Sequence, residues 1–190
     1  MKSSPLVFLR HAILTLLTVI ALTIPTRAQT NSRDPSASST SLSDEVRRRL
    51  VTLPYYSVFD NLGYKVEGRK VTLSGQVVKA ALKDGAERAV KNIEGIEAVD
   101  NRIQVLPLSV DDDRIRQLEY AAIYSFPSLY IYAVRAVPPI HIIVDHGHVT
   151  LVGIVENEAD RDAANVRANM VPGVSLVTNN LRLETKRDRD

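Results

Sequence analysis

The sequence predicts an α+β protein made of two tandem copies of a small αββαβ unit, each with a three-stranded sheet packed on two helices. The first observation is a repeated stretch: residues 71–77, VTLSGQV, return 78 positions later as VTLVGIV at 149–155. The match continues without a gap over about forty residues, which marks an internal repeat. The second observation is a change of apolar spacing within each copy, from alternate positions along a strand to helical spacing.

Length and charge narrow the possible classes of protein. The 190 residues are enough for two small domains. The formal charge is +2, but residues 1–28 hold three cations and no acid, so the rest of the chain has a net charge of −1. A nucleic-acid-binding protein would need a basic face of its own. We therefore expect no nucleic-acid partner. The absence of cysteine excludes disulfides and thiol chemistry.

The first 28 residues have the three parts of a secretory signal peptide. Lys2, Arg10 and His11 precede an uncharged apolar run at 12–24, and small residues follow before a cleavage site near Ala28. A permanent membrane anchor is the alternative, but this run is shorter than the ~20 residues that span a bilayer. The sequence therefore predicts export to the periplasm.

The remaining chain divides by composition. The predicted segments are a flexible linker at 29–42, a first domain at 43–107, a second domain at 110–184 and a charged tail at 185–190. In the first domain we predict a helix that starts at Ser43, with acids in its first turn. A hairpin turning at Gly68, a helix over 79–93 and a third strand over 98–105 complete the unit.

The second domain repeats this order with one longer segment. Three aspartates, 111–113, occupy the start of its first helix, where the helix dipole favours negative charge. Its hairpin turns at His146-Gly147, and a helix over 157–171 and a strand over 176–183 follow. The stretch 120–139 between helix and hairpin is longer than its counterpart and holds half of the protein's aromatic residues.

Four glycines recur at equivalent places and are predicted to be structural. Gly75 and Gly153 lie within the repeated strand, and for Gly75 we expect a helix backbone to pass close to the missing side chain. Gly95 and Gly173 stand where helix C-terminal caps belong. None of them lies in a glycine-rich turn that opens a helix, so no phosphate-binding loop is predicted.

The aromatic stretch is the best candidate site. Tyrosine and phenylalanine rings beside arginines suit a membrane interface, where rings sit at the acyl boundary and cations meet phosphates. The lipid-interface candidates are Arg116, Tyr120, Tyr124, Phe126, Tyr130, Tyr132 and Arg135. The alternative is that these rings cover the sheet and fill the core.

The second domain also has apolar surface that its small core does not obviously use. The outer face of its central strand carries Val152 and Ile154 where the first domain has Ser74 and Gln76. The following helix adds a second set of apolar residues, Ala159, Ala163, Val166 and Met170. We expect the two domains to dock through this surface, and contact with lipid or a partner protein is the alternative.

No residues form a catalytic or metal-binding pattern. His141, Asp145, His146 and His148 lie on one hairpin, whose alternating side chains and turn do not make a closed metal site, so no metal or cofactor is expected. Ser74 has no histidine nearby and valine replaces it in the second copy. We therefore expect a protein that is not an enzyme.

The repeated motifs resemble the BON domain. Its pattern is Val-Thr-Leu-x-Gly-x-Val after a hairpin turn, an alanine-rich helix, and then GIEAVDN at 95–101, which returns as GVSLVTN at 173–179. The layout is similar to dual-BON periplasmic proteins of the osmotically inducible and outer-membrane-maintenance types. This resemblance implies two small α+β domains, attachment to anionic phospholipid surfaces and no catalytic residues. Because no cysteine is available for lipid attachment, we expect peripheral contact.

Three functions follow as hypotheses. The first is an exported, non-enzymatic protein that contacts phospholipid at the cell envelope, in envelope maintenance or osmotic stress. The second is an adaptor whose sheet edges or apolar helix bind another envelope protein. The third is a stress-protective, chaperone-like role, which the resemblance permits but which no residue supports.

Overall fold

The structure is a computed structural model that describes residues 35–135 and 137–185, with side chains from Leu42 onward. The predicted signal peptide at 1–28, the start of the predicted linker and nearly all of the predicted tail lie outside the described residues. Within the described ranges, no helix combines the length and apolar character needed to cross a bilayer.

The described residues form two sets of elements that follow the predicted αββαβ order, except that the third strand is divided in two in the first set and a one-turn helix is added in the second. The first set is α1 (Pro35–Val51), β1 (Asn61–Glu67), β2 (Lys70–Val77), α2 (Ala80–Lys91), β3 (Ala98–Asn101) and β4 (Gln104–Val105). The second set is α3 (Val110–Tyr124), α4 (Tyr130–Ala133), β5 (Ile140–Asp145), β6 (His148–Val155), α5 (Glu158–Asn169) and β7 (Leu176–Leu183). The α+β class and the tandem arrangement are confirmed.

The strand register repeats along with the sequence. In the first sheet β2 is central, antiparallel to β1 and parallel to β3 and β4. In the second sheet β6 is central, antiparallel to β5 and parallel to β7. Val71 pairs with Val99, and the residues 78 positions later, Val149 and Val177, pair in the same way.

Each copy has its own core. Val71, Leu73 and Val77 are buried in one cluster, and their counterparts on β6 are buried in a second. The alternate positions of both strands remain partly or fully accessible, because side chains alternate between the faces of a strand. The two copies of the repeated strand therefore occupy like environments in separate cores.

An asparagine in each copy ties the last strand to the preceding helix. Asn101 donates from Nδ2 to the Lys83 carbonyl on α2 at 3.1 Å, and its Oδ1 accepts from the Ile103 amide. Asn179 makes the equivalent bonds to the Arg161 carbonyl and the Leu181 amide. Helix and sheet are thus fastened by the same side chain in both domains.

The first helix starts earlier than predicted. It begins at Pro35 instead of Ser43, so that Asp44 and Glu45 lie inside it and not in its first turn. Proline is tolerated in the first turn of a helix, because the amide it lacks would have no partner there. Glu45 forms ion pairs with Arg48 and Arg49 along the same face, which supports the helix interior.

At Gly75 and Gly153, the two glycines of the repeated strand, the neighbouring backbone is too close for a side chain. The expectation of a passing helix at Gly75 is wrong: a Cβ there would lie 1.9 Å from the Asn61 carbonyl oxygen, at the start of β1. At Gly153 a Cβ would lie 1.8 Å from the Pro139 carbonyl oxygen. Both glycines also have a positive φ, +109° and +134°. Only glycine accommodates this conformation together with so close a backbone.

The other two glycines follow helices at a short distance. The position that caps α2 is Asn92, and the one that caps α5 is Met170. Gly95 and Gly173 therefore lie three residues beyond the caps, in the turns that lead into β3 and β7. Their predicted structural role concerns these turns and not the helix ends themselves.

The two domains contact each other through one loop, residues 55–60, which we call the clamp loop. Its Val58 carbonyl accepts a hydrogen bond of 2.7 Å from the Ile142 amide on the outer edge of β5. The Val58 side chain joins the core of the second domain. Tyr56 packs its ring 5.6 Å from that of His141, which faces the opposite side of β5. The loop therefore holds the β5 edge from both faces.

The α5 part of the predicted docking surface is not used. The α5 residues Val166 and Met170 are 57% and 66% exposed, so they are not covered by the first domain. Contact instead runs through the clamp loop, β5 and α3, where Phe59 meets the edge of Tyr120. A loop of irregular backbone carries no apolar periodicity, and its role was therefore not visible in the sequence.

Asp112 on α3 fixes the turn between β5 and β6. It is buried, and its two carboxylate oxygens accept from the amides of His146 and Gly147 at 2.9 and 2.8 Å. We expect Asp112→Ala to lower the free energy of unfolding by about 2–3 kcal/mol, because two amides lose a charged acceptor. Urea denaturation of this variant beside Asp111→Ala, an exposed neighbour, measures the difference. Equal losses in both variants would show that the turn does not depend on Asp112.

Candidate functional site

Two of the predicted interface tyrosines belong to the core. Tyr124 is 4% exposed and donates to the Ile140 carbonyl at 2.6 Å. Tyr132 is fully buried, donates to the Asp160 carboxylate at 2.7 Å and accepts from the Glu156 amide. Burial raises the pKa of Tyr132 to about 12. Buried tyrosines need such partners for their hydroxyl groups, and these rings are not available to a membrane in the folded protein.

The two predicted arginines also have internal partners. Arg116 is 3% exposed; it donates to Asp113 at 2.6 Å and to the Val144 carbonyl on β5 at 2.7 Å. Arg135 is exposed but pairs with Glu156, and its guanidinium lies 5.3 Å from the centre of the Tyr132 ring. Arg116 therefore does not lie at a lipid-facing surface.

The rest of the stretch does present apolar side chains to solvent. Tyr120 and Tyr130 are 43% and 59% exposed. Phe126 is half-buried under the Arg167 guanidinium, 5.3 Å from the ring centre. Neighbouring residues that sequence reasoning missed extend this surface, namely Ile131, Val134 and Val137, which are all exposed. Together with Tyr120 and Tyr130 they form what we call the apolar segment.

Helix α4 divides the stretch into an inner and an outer side. Its four residues place Tyr132 in the core, while Tyr130 and Ile131 face outward with Val134 just beyond. One helical turn is too short to show a periodic apolar pattern. Sequence spacing therefore did not separate the buried ring from the exposed ones.

A protein family matches this chain, in two separate segments. The pattern of the BON domain fits residues 38–107 and 133–185. The chain belongs to the BON domain family. The stretch between the two matches includes α3, Tyr120, Tyr130 and Ile131, whereas Val134 and Val137 lie within the second match.

Two solved structures also match, both of CdsD, a structural protein of the type III secretion system of Chlamydia trachomatis. The first, its C-terminal domain, is 11% identical and covers 76% of this chain and 98% of its own, with a TM-score of 0.27. The second is 11% identical and covers 77% and 94%, with the same TM-score. At these values neither informs the function of this chain. No curated protein matches it significantly.

BON domains are known for phospholipid binding, are typically non-catalytic, and usually occur in periplasmic or envelope-associated proteins. The family pattern does not define which surface of this BON protein meets a partner.

The second BON domain holds one carboxyl group without a partner. Glu119 on α3 is fully buried, and neither of its oxygens has a hydrogen-bond partner among the described residues. Burial raises the pKa of Glu119 to about 8. The carboxyl group is therefore mostly protonated and neutral at pH 7. Arg116, one turn earlier on α3, points its guanidinium to other acceptors.

The histidines of the second hairpin do not converge. His141 is packed against Tyr56 of the clamp loop, and burial lowers the pKa of His141. His146 is on the turn beside Asp145, while His148 contacts the Thr178 hydroxyl at 2.8 Å. In the part of the chain that the structure describes, no group of three potential metal ligands occurs.

Proposed function

We propose that this protein is a non-enzymatic BON protein that contacts anionic phospholipid surfaces of the cell envelope peripherally. The observation that carries the proposal is the apolar segment, whose side chains remain exposed although the same stretch supplies two buried tyrosines to the core. Exposed apolar side chains concentrated in one stretch of a folded domain are candidates for an interaction surface. The phospholipid binding known for BON domains gives the chemistry of the partner.

The cellular setting follows from the predicted leader. Cleavage near Ala28 would release the protein into the periplasm, where it would meet membrane surfaces. A role in envelope maintenance or under osmotic stress is consistent with that location. Because the chain has no cysteine for lipid attachment, binding would depend on the apolar segment and be reversible.

Changing Tyr130 and Val134 to serine should weaken binding to anionic vesicles about tenfold, since two apolar side chains no longer leave water. Both side chains are mostly exposed, at 59% and 63%, so the fold should remain. Flotation with vesicles containing phosphatidylglycerol measures the bound fraction, and circular dichroism checks the fold.

The matched control is the double variant Leu108→Ser, Val110→Ser. These residues precede and begin α3 and are 94% and 86% exposed. The control should float with the vesicles as the unchanged protein does. Equal flotation of both double variants, or none by the unchanged protein, would contradict the assignment of the apolar segment.

The second candidate function is an adaptor that binds another envelope protein. The observation in its favour is β7, which lies at the edge of the second sheet and has Leu176 and Leu183 exposed. Unpaired edge strands accept an added strand from a partner. A protein retained from envelope extract together with failure to float would favour this function. In that case Leu176→Lys should abolish retention.

A further inference from the structure

A cleft of about 640 Å³ lies where the two BON domains meet. The clamp loop and the residues before α2 form one wall, and the first half of α3 forms the other. Tyr55, Phe59 and Val78 supply apolar surface, whereas Lys79, Arg114 and Arg116 supply positive charge. Because both domains contribute, the cleft exists only when the domains are docked.

The carboxylates of the cleft are already engaged. Asp60 is buried and accepts from the Val78 amide and from both the amide and hydroxyl of Ser57. Asp113 pairs with Arg116. Among the described residues, Lys79 and Arg114 have no carboxylate within ion-pair distance of 4.0 Å. The lining has three cations, Lys79, Arg114 and Arg116, and two carboxylates, Asp60 and Asp113, so its formal net charge is +1.

Arg116 lines this cleft with one donor unused. Its side chain is 3% exposed, and its Nε is buried without a hydrogen-bond partner among the described residues. An unpaired donor on a buried charge is costly, and native structures usually satisfy it with a ligand, ion or water. A slight movement of the guanidinium would offer Nε to an anion in the cleft.

Tyr55 gives a second, independent indication. It has a φ of +69°, which is uncommon for a residue with a side chain, and strained backbone of this kind clusters at functional sites. Its ring is 74% exposed and lies beneath the Lys79 ammonium group, 4.8 Å from the ring centre. Tyr55 and Lys79 thus place an aromatic surface and a cation together in the lining of the cleft.

We propose that this inter-domain cleft binds a phosphate ester, with Lys79, Arg114 and Arg116 around the phosphate and Tyr55 against the esterified group. Lysine and arginine together suit phosphate, because one supplies a compact charge and the other a fork of donors. The ester is either a soluble molecule or the headgroup of a phospholipid. The cleft shares no residue with the apolar segment, although Phe59 of the cleft contacts Tyr120. The variants used to test this site and the proposed membrane contact therefore change different residues.

Isothermal titration calorimetry of the purified protein tests the site with two probes. Glycerol 3-phosphate represents a soluble ester, and dihexanoyl phosphatidylglycerol below its micelle concentration represents a headgroup without a membrane. We expect saturable binding of at least one probe. Lys79→Ala with Arg114→Ala should weaken it at least about tenfold, the effect of losing two charged contacts.

The matched control is Arg47→Ala with Arg88→Ala, which removes the same charge from exposed positions on α1 and α2 outside the cleft. It should leave the affinity within about twofold. Tyr55→Gly keeps the backbone conformation without the ring and should also weaken binding. Binding of only the lipid probe would identify a headgroup site, and binding of only glycerol phosphate a soluble ligand. No binding at millimolar probe, or equal losses in both double variants, would overturn the proposal.

Discussion

Replacing Glu119 with glutamine should remove a steep fall of stability with rising pH. The buried carboxyl group keeps its proton in the folded state up to about pH 8, whereas the unfolded chain releases it above pH 4.5. The pH-dependent part of the cost of burying this group is therefore absent below pH 4.5 and grows as the pH rises toward 8. The expected slope is about 1.4 kcal/mol per pH unit in that window.

The comparison is between the variant and the unchanged protein at each pH. Between pH 5 and 7.5 the difference in free energy of unfolding should shift in favour of Glu119→Gln by on the order of 3 kcal/mol. Taking the difference matters because the lowered pKa of His141 gives an opposite trend, with stability lost as the pH falls through acidic values. That contribution is common to both proteins and cancels.

Urea denaturation at several pH values from 4.5 to 8.5 provides the measurement. Glu94→Gln is the control, since Glu94 is an exposed carboxyl group in the first domain. Its difference from the unchanged protein should not vary in this way. A pH-independent difference for Glu119→Gln would mean that Glu119 is already ionised or has found a partner.

Gly153→Ala should unfold the second domain or destabilise it by at least about 3 kcal/mol. The new methyl group would meet the Pro139 carbonyl oxygen at 1.8 Å, and the backbone would keep a φ of +134° that alanine disfavours. The obstacle is backbone, which does not move aside as a flexible side chain does. The free-energy cost of the strained backbone and the cost of displacing the hairpin therefore add together.

Substitutions at two other glycines distinguish the effect of the positive φ from that of the close backbone contact. Gly68 has a φ of +61° but nothing within 4 Å of a Cβ, so Gly68→Ala should cost only about 1 kcal/mol. Gly85 lies inside α2 with its nearest neighbour 3.9 Å away, so Gly85→Ala should stabilise by about 0.5–1 kcal/mol. Thermal unfolding of the three variants measures the order. A loss at Gly153 no larger than that at Gly68 would show that the close contact is relieved cheaply.

The fold was predictable because its signals are local and occur twice. Alternating valines and leucines place β2 and β6, and helical spacing of Leu82, Ala86 and Val90 places α2. A one-residue shift of register would turn the buried side chains outward, so the pattern also fixes the pairing. The two copies support each other wherever one alone would be ambiguous.

The sequence predicted where in the chain the candidate site lies, but not which of its side chains are exposed. The sequence located the aromatic stretch but did not distinguish buried Tyr124 and Tyr132 from exposed Tyr120 and Tyr130, because burial there depends on the Ile140 carbonyl and on Asp160. Likewise, nothing local marks a buried glutamate. These properties arise from contacts between distant segments, which propensity and spacing do not encode.

The clamp loop changes what a duplication means for this protein. A chain beginning at Val110 would lose the acceptor of the Ile142 amide and the Val58 side chain from its core. Its bare β5 edge would then recruit a second molecule in place of the missing loop. The first domain thus covers the β5 edge of the second and supplies a side chain to its core, so the second domain is completed by its neighbour.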